Sequence, residues 1–139
     1  MLSMQKARAG TTFLTRWGPA LLMMALIFFF SSLPASRLPS FGVYDFSIKK
    51  LGHFLGYALL APAYLRGLRK RGSLEIAMAW GLTIMYAFTD ETHQAFVLGR
   101  TSSIFDVGVD GIGALAGLSP YILFTLRTLN RNSRLPPKN

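Results

Sequence analysis

The chain of 139 residues contains no cysteine and only six acidic residues. Without cysteine there is no disulfide, no zinc–thiolate site and no thiol nucleophile. Charge of either sign is sparse, at 15% of residues, and it leans basic, with 15 Lys and Arg. The basic residues cap apolar blocks instead of forming a stripe, so a nucleic-acid partner is not expected. Strand-like alternation is missing, which argues against a membrane β-barrel. There is no His-Glu-x-x-His pattern and no phosphate-binding glycine loop, since Gly111-Ile112-Gly113 stands inside an apolar segment. Asp90-Glu91-Thr92-His93-Gln94 superficially matches a helicase box, but no nucleotide-binding loop precedes it. No long-period repeat is present. The length suits one domain.

What the chain does have is apolar content, 51% of residues, gathered in blocks. Four segments stand out, at about residues 17–33, 48–65, 74–89 and 104–126. At 1.5 Å per residue the first reaches about 25 Å, enough to cross a thin hydrocarbon core. Its basic lead-in, and Leu33-Pro34-Ala35-Ser36 behind it, also fit a signal peptide, but the block is long for one and a retained span is expected. The Pro34 and Pro39 region reads as a loop, and Gly72 closes a second, basic loop. Because only helices and closed barrels satisfy every backbone group in lipid, the expected fold is all-α, an integral membrane four-helix bundle. Residues 1–16 form a basic N-terminal tail, 17–126 the membrane domain, and 127–139 a basic C-terminal tail whose Pro136 and Pro137 mark a frayed end.

Lys and Arg set the orientation. Lys6, Arg8 and Arg16 precede the first segment. Arg66, Arg69, Lys70 and Arg71 crowd the second loop, and Arg127, Arg131, Arg134 and Lys138 finish the chain. The other side holds Arg37, Lys49, Lys50 and Arg100, so eleven basic residues face four. Both termini are therefore expected in the cytoplasm (N-in, C-in), and the polar stretch from Asp90 to Asp110 on the outer face.

That stretch holds four of the six acids. Lys50, His53 and Tyr57 share one helical face by their spacing of three and four. Tyr86, Asp90 and Gln94 repeat every four, with Glu91 one step round. Asp106, Asp110, Gly113 and Gly117 form another stripe. Three helices can thus turn polar faces toward one point near the outer surface. Ionisable groups at membrane depth usually pair or serve a function. Asp106 and Asp110 could share a proton or both lean on Arg100, whose guanidinium suits carboxylate or phosphate. Gly113 and Gly117 read as a small-xxx-small packing pair. His93 reads as a surface residue and Phe28-Phe29-Phe30 as lipid-facing or packing residues. His53, Asp90, Glu91 and His93 have the donors for a divalent metal but unspecific spacing, so neither metal nor cofactor is expected.

These residues resemble the VanZ-like family, small bacterial polytopic membrane proteins named after a teicoplanin-resistance protein. The resemblance rests on Lys50-Leu51-Gly52-His53-Phe54-Leu55-Gly56-Tyr57, on Asp90-Glu91-Thr92-His93-Gln94-Ala95-Phe96 with nearby Arg100, and on Asp106-Val107-Gly108-Val109-Asp110-Gly111-Ile112-Gly113. It covers about residues 48–118. Two positions depart from the pattern. Lys49 stands where an acid often precedes the lysine, and Asp110 stands where the family commonly has Asn. The resemblance implies a cell-envelope protein, linked in one member to glycopeptide resistance, without identifying a reaction.

The expectation is an outward-facing polar pocket in the bacterial cytoplasmic membrane. Lys50, His53, Gln94, Arg100 and Asp110 are its candidate substrate-binding residues, for a lipid-linked phosphate or glycolipid. Asp90, Glu91 and Asp106 are candidate general acids or bases. Membrane lipids are the expected partners, and an oligomer is compatible. The alternative is a non-catalytic scaffold or partner subunit whose buried ion pairs set helix register. A flippase would need a dimer, because no second half mirrors the first.

Overall fold

Apolar blocks that cannot alternate as strands satisfy their backbone as helices, and four helices are what the computed structural model contains among its described residues, 2–133. Side chains are described for residues 13–131. Helix α1 spans Leu2–Ser31, α2 Asp45–Gly67, α3 Ser73–Gln94 and α4 Ile104–Ser133. Two short 3-10 turns, Ala35–Arg37 and Gly42–Tyr44, link α1 to α2. No strand occurs among the described residues. The helices contain the four apolar segments and extend past them, except at 32–33, beyond the end of α1. The α1 helix takes in the residues expected as a tail from Leu2 onward, α4 runs beyond 126, and α3 continues through the polar stretch to Gln94. The expected frayed end, with Arg134, Pro136, Pro137 and Lys138, lies outside the described residues.

Helix α2 is central and packs on α1, α3 and α4. Glycine makes its closest approach possible. A Cβ added at Gly113 or Gly117 of α4 would collide with the Phe54 or Ala58 carbonyl of α2, respectively. The pairing 54 with 113 and 58 with 117 also shows that α2 and α4 run the same way. Helix α1 runs opposite to α2: Arg66 Nη2 donates to the Thr15 carbonyl at 3.0 Å, and Arg16 to the Gly67 carbonyl. Helix α3 runs with α1, since Tyr86 donates its hydroxyl to the Met24 carbonyl at 2.6 Å and Ser31 meets Asp90 further on. The chain therefore alternates direction, and the basic loop after α2 and the polar residues lie at opposite ends.

The core between the helices is Tyr57, Leu60, Ala61, Tyr64 and Leu65 of α2, Ala79 and Ala87 of α3, Ala114 and Leu118 of α4, and Ala20 and Ile27 of α1. Small residues let the backbones approach and the tyrosines fill the wider gaps. Outward positions are also apolar. Phe28, Phe29 and Phe30 of α1, Leu51, Leu55 and Leu59 of α2, and Met78, Met85 and Phe88 of α3 are all exposed. Meanwhile Thr83, Asp90, Glu91, Gln94 and Asp110 are buried. Two stretches, Phe13–Ser31 and Ile104–Arg131, are long and apolar enough to cross a membrane by length and composition. Helices α2 and α3, of 23 and 22 residues, reach about 33–35 Å, but each carries ionisable residues along its inner face.

Candidate functional site

Every connection at the polar end brings chemistry inward. Helix α2 begins at Asp45, where an acid complements the helix N-terminus. Asp45 accepts a hydrogen bond from Lys49 one turn later at 2.5 Å, and that bond holds its carboxyl below the usual carboxylate range. The next turns present Lys50 and His53. The α3 helix ends with Asp90, Glu91 and Gln94 on its buried side. After it, Gly99 adopts a φ of +74°, a left-handed turn that glycine permits. The turn lets the Leu98 carbonyl accept from the Ala35 amide at 3.2 Å and delivers Arg100 to the end of α1. Helix α4 then starts with Asp106 and Asp110 in its first two turns.

A cavity of about 250 Å³ opens between these elements. Seven of the eight residues singled out from the sequence line it: Lys50, His53, Glu91, Gln94, Arg100, Asp106 and Asp110. Asp45 and Lys49 also line it. The eighth, Asp90, lies behind the wall. Its Oδ2 accepts from Ser31 Oγ at 2.9 Å and from Gln94 Nε2 at 3.0 Å, while its Oδ1 is buried without a hydrogen bond. Asp90 thus meets the cavity lining through its hydrogen bond to Gln94.

The charges pair selectively. Lys50 bridges to Asp106, tying α2 to α4. Glu91 accepts from the Ser103 amide at 3.1 Å through Oε2 and from Gln94 at 3.4 Å through Oε1. Asp110 is 0% exposed and neither carboxylate oxygen makes a hydrogen bond; the His53 ring nitrogen Nδ1 stands 3.7 Å away. The expected pairing of Arg100 with Asp106 or Asp110 is not what the fold makes. Arg100 instead donates from Nε to the Leu33 carbonyl at 3.2 Å and from Nη2 to the Phe30 carbonyl at 2.5 Å. The reason is local: a helix ends with carbonyls that lack intrahelical partners, and an arginine can satisfy them. Burial lowers the Arg100 pKa from its ordinary value, against the pull of Asp90 and Glu91.

A second, apolar cavity of about 390 Å³ adjoins the first between α1 and α2. Met23, Leu26, Ile27 and Phe30 line it, with Gly52 and Gly56 opening the floor. It shares Lys49, His53 and Arg100 with the polar cavity.

Sequence spacing did not point to Ser31 or to the Asp45–Lys49 pair. Ser31 closes an apolar run and looks like the start of a loop, yet it is 1% exposed and bonded to Asp90. Its one available signal was position, as a hydroxyl at the end of a span. His93 is half-buried, with its Nε2 3.0 Å from Ser32 Oγ and its ring 4.6 Å from that of Phe28. It takes no part in the cavity lining.

The family model described as VanZ/LLP1 matches residues 17–125. No curated protein and no solved structure matches the chain.

Proposed function

Because the chain belongs to the VanZ/LLP1 family, we propose that it is a four-helix bundle of the bacterial cytoplasmic membrane whose polar cavity receives the anionic headgroup of a lipid-linked phosphate or glycolipid. The termini are cytoplasmic and the cavity opens on the outer face at headgroup depth. Support for the membrane placement is the inside-out surface, apolar outward and ionisable inward, together with the basic loop at the end opposite the cavity.

The observation that carries the ligand reading is the junction of two cavities. A polar space shares the wall made by Lys49, His53 and Arg100 with an adjoining apolar space between α1 and α2. A molecule with an anionic head and a hydrocarbon tail fits both. Lys49, Lys50, His53 and Arg100 offer donors to phosphate oxygens, and Gln94 offers an amide. Glu91 and Asp106 are the carboxylates placed to exchange a proton with a bound headgroup, and Asp90 is a positioning residue behind Gln94. A role in glycopeptide resistance belongs to this reading through the headgroup, as a consequence of altered envelope lipids.

Thermal stability of the detergent-purified protein against lipid-linked phosphates and glycolipids tests it. One compound should raise the melting temperature of the wild type, and the rise should vanish in Lys49→Gln/Arg100→Lys. The absence of a shift with every compound would reject the reading.

One set of contacts favours a scaffold instead. Arg100 holds carbonyls of the α1 terminus, Lys50 ties α2 to α4, and Ser31, Asp90 and Gln94 tie α1 to α3. On that reading the same substitutions lower intrinsic stability and no compound protects.

A further inference from the structure

Among the described residues, one group of cavity side chains lacks a fixed cation, and Asp110 has only the His53 imidazole near it, at 3.7 Å. Of the cavity's acids, Asp45 is held by Lys49 and Asp106 by Lys50. Arg100, the remaining cation of the wall, is committed to backbone carbonyls. Glu91 and Asp110 remain, 5% and 0% exposed, on α3 and α4, each with a carboxylate oxygen within 4.8 Å of a His53 ring nitrogen. Among the described residues, hydrogen bonds to the Glu91 carboxylate come only from neutral groups, the Ser103 amide and Gln94. Neither oxygen of Asp110 has a hydrogen-bond donor among the described residues.

Two carboxylates buried together in a chain of this apolar content are costly unless a cation joins them. From this we infer that His53, Glu91 and Asp110 bind a divalent metal ion. One ligand atom from each lies within 4.8 Å of the other two. Ligand atoms bonded at about 2.0–2.2 Å to one tetrahedral ion stand roughly 3.3–3.6 Å apart, so the side chains would draw in by up to about 1.4 Å around the ion. Cavity volume beside the three residues admits water to complete the coordination.

The donor set selects the metal. One imidazole and two carboxylates suit Zn²⁺ or Mn²⁺, whereas Mg²⁺ and Ca²⁺ prefer oxygen alone. Asp110 is the decisive member. An aspartate there supplies a charged ligand, and both its oxygens are free to turn to the ion. The residues come from α2, α3 and α4, so the ion would also clamp three helices at the open end.

The site shares His53 and Glu91 with the headgroup reading, but it is tested without lipid-linked ligand, so the two can fail separately. Full-length protein purified in detergent and stripped of metal is titrated with ZnCl₂, MnCl₂ and MgCl₂ by calorimetry. The wild type should bind Zn²⁺ or Mn²⁺ at a single site and Mg²⁺ at least tenfold more weakly. Asp110→Asn, Glu91→Gln and His53→Gln should each weaken binding by about tenfold or more, a loss that even outer partners of a metal site produce. His93→Gln, the other histidine, should bind as the wild type does. X-ray absorption of the zinc-loaded wild type, which needs no variant to fold, should show an oxygen and nitrogen shell containing one imidazole. No saturable binding, unchanged binding in the three variants, loss of binding in His93→Gln, or a shell without imidazole would each overturn the site.

Discussion

Ser31, the last residue of α1, donates its hydroxyl to Asp90 of α3 at 2.9 Å, and both side chains are almost wholly buried. Neither residue lines the cavity, and the bond lies behind Gln94, which does. The bonded pair also holds Gln94, whose Nε2 reaches Asp90 Oδ2 at 3.0 Å and Ser31 Oγ at 3.3 Å. Ser31→Ala leaves Asp90 with one donor fewer in a buried place. The expected loss is about 1 kcal/mol, the usual size for an interhelical hydrogen bond in a membrane protein. Asp90→Asn in the Ser31→Ala background should cost less than in the wild type, since the charge then has less to hold it. Reversible denaturant unfolding in detergent as a double-mutant cycle measures the coupling, and strict additivity would contradict the bond.

The glycine stripe of α4 makes a sharper claim. Gly117→Ala and Gly113→Ala force a methyl group against the Ala58 and Phe54 carbonyls. Each should destabilise the protein by about 1–3 kcal/mol or prevent assembly, as overpacking does. Gly108, in the same helix, has nothing within 4 Å of the position its Cβ would take. Gly108→Ala should therefore be neutral or slightly stabilising, because alanine is the better helix former by about 1 kcal/mol. Melting temperatures of the three variants in one detergent decide this, and equal effects would remove the close packing of α2 on α4.

Arg100 separates structural from binding roles. Its two carbonyl bonds are charge-assisted, so Arg100→Ala should lower stability by about 2 kcal/mol. Arg100→Lys cannot make both bonds in the same fork and should fall between. If the cavity receives an anionic headgroup, the ligand-induced rise in melting temperature should shrink in Arg100→Lys by more than the loss of intrinsic stability explains. A full ligand response in Arg100→Ala would assign Arg100 to the α1 terminus alone.

Asp110 gives opposite signs with and without metal. In metal-free protein Asp110→Asn removes a buried charge that has no hydrogen-bond donor, so stability should hold or rise. With saturating Zn²⁺ the wild type should gain stability by mass action and the variant should gain little. Melting curves with and without ZnCl₂ read both. A metal-independent fall in Asp110→Asn would show instead that the carboxylate is required by the fold.

Much of the site is legible in the order of the residues. Lys50 and His53, Glu91 and Gln94, and Asp106 and Asp110 lie three or four apart, and helical geometry alone puts each pair on one face. The one-sided distribution of Lys and Arg likewise points to one polar end and one basic end. Pairing is not legible there. Arg100 looks like the natural partner of Asp106 and Asp110, but the turn at Gly99 carries it to the carbonyls of Phe30 and Leu33. No periodicity encodes where a loop residue goes. Nor does the spacing of His53, Asp90, Glu91 and His93 suggest the trio that the fold assembles, since it takes Asp110 from α4 and leaves His93 beside Phe28.

The sequence by itself determined the helices, their apolar outer faces, the charge asymmetry between the two ends and the family. These follow from local periodicity and composition, which act within a few residues of chain. Only the tertiary structure decided which carboxylate meets which cation, that Asp90 stands behind the wall while Glu91 and Asp110 lie close to His53, and that polar and apolar cavities share a wall. Those depend on the rotation and offset of one helix against another, set where Gly113 and Gly117 let α4 press against α2, and a rotation of a packed helix is a property of contacts between distant residues.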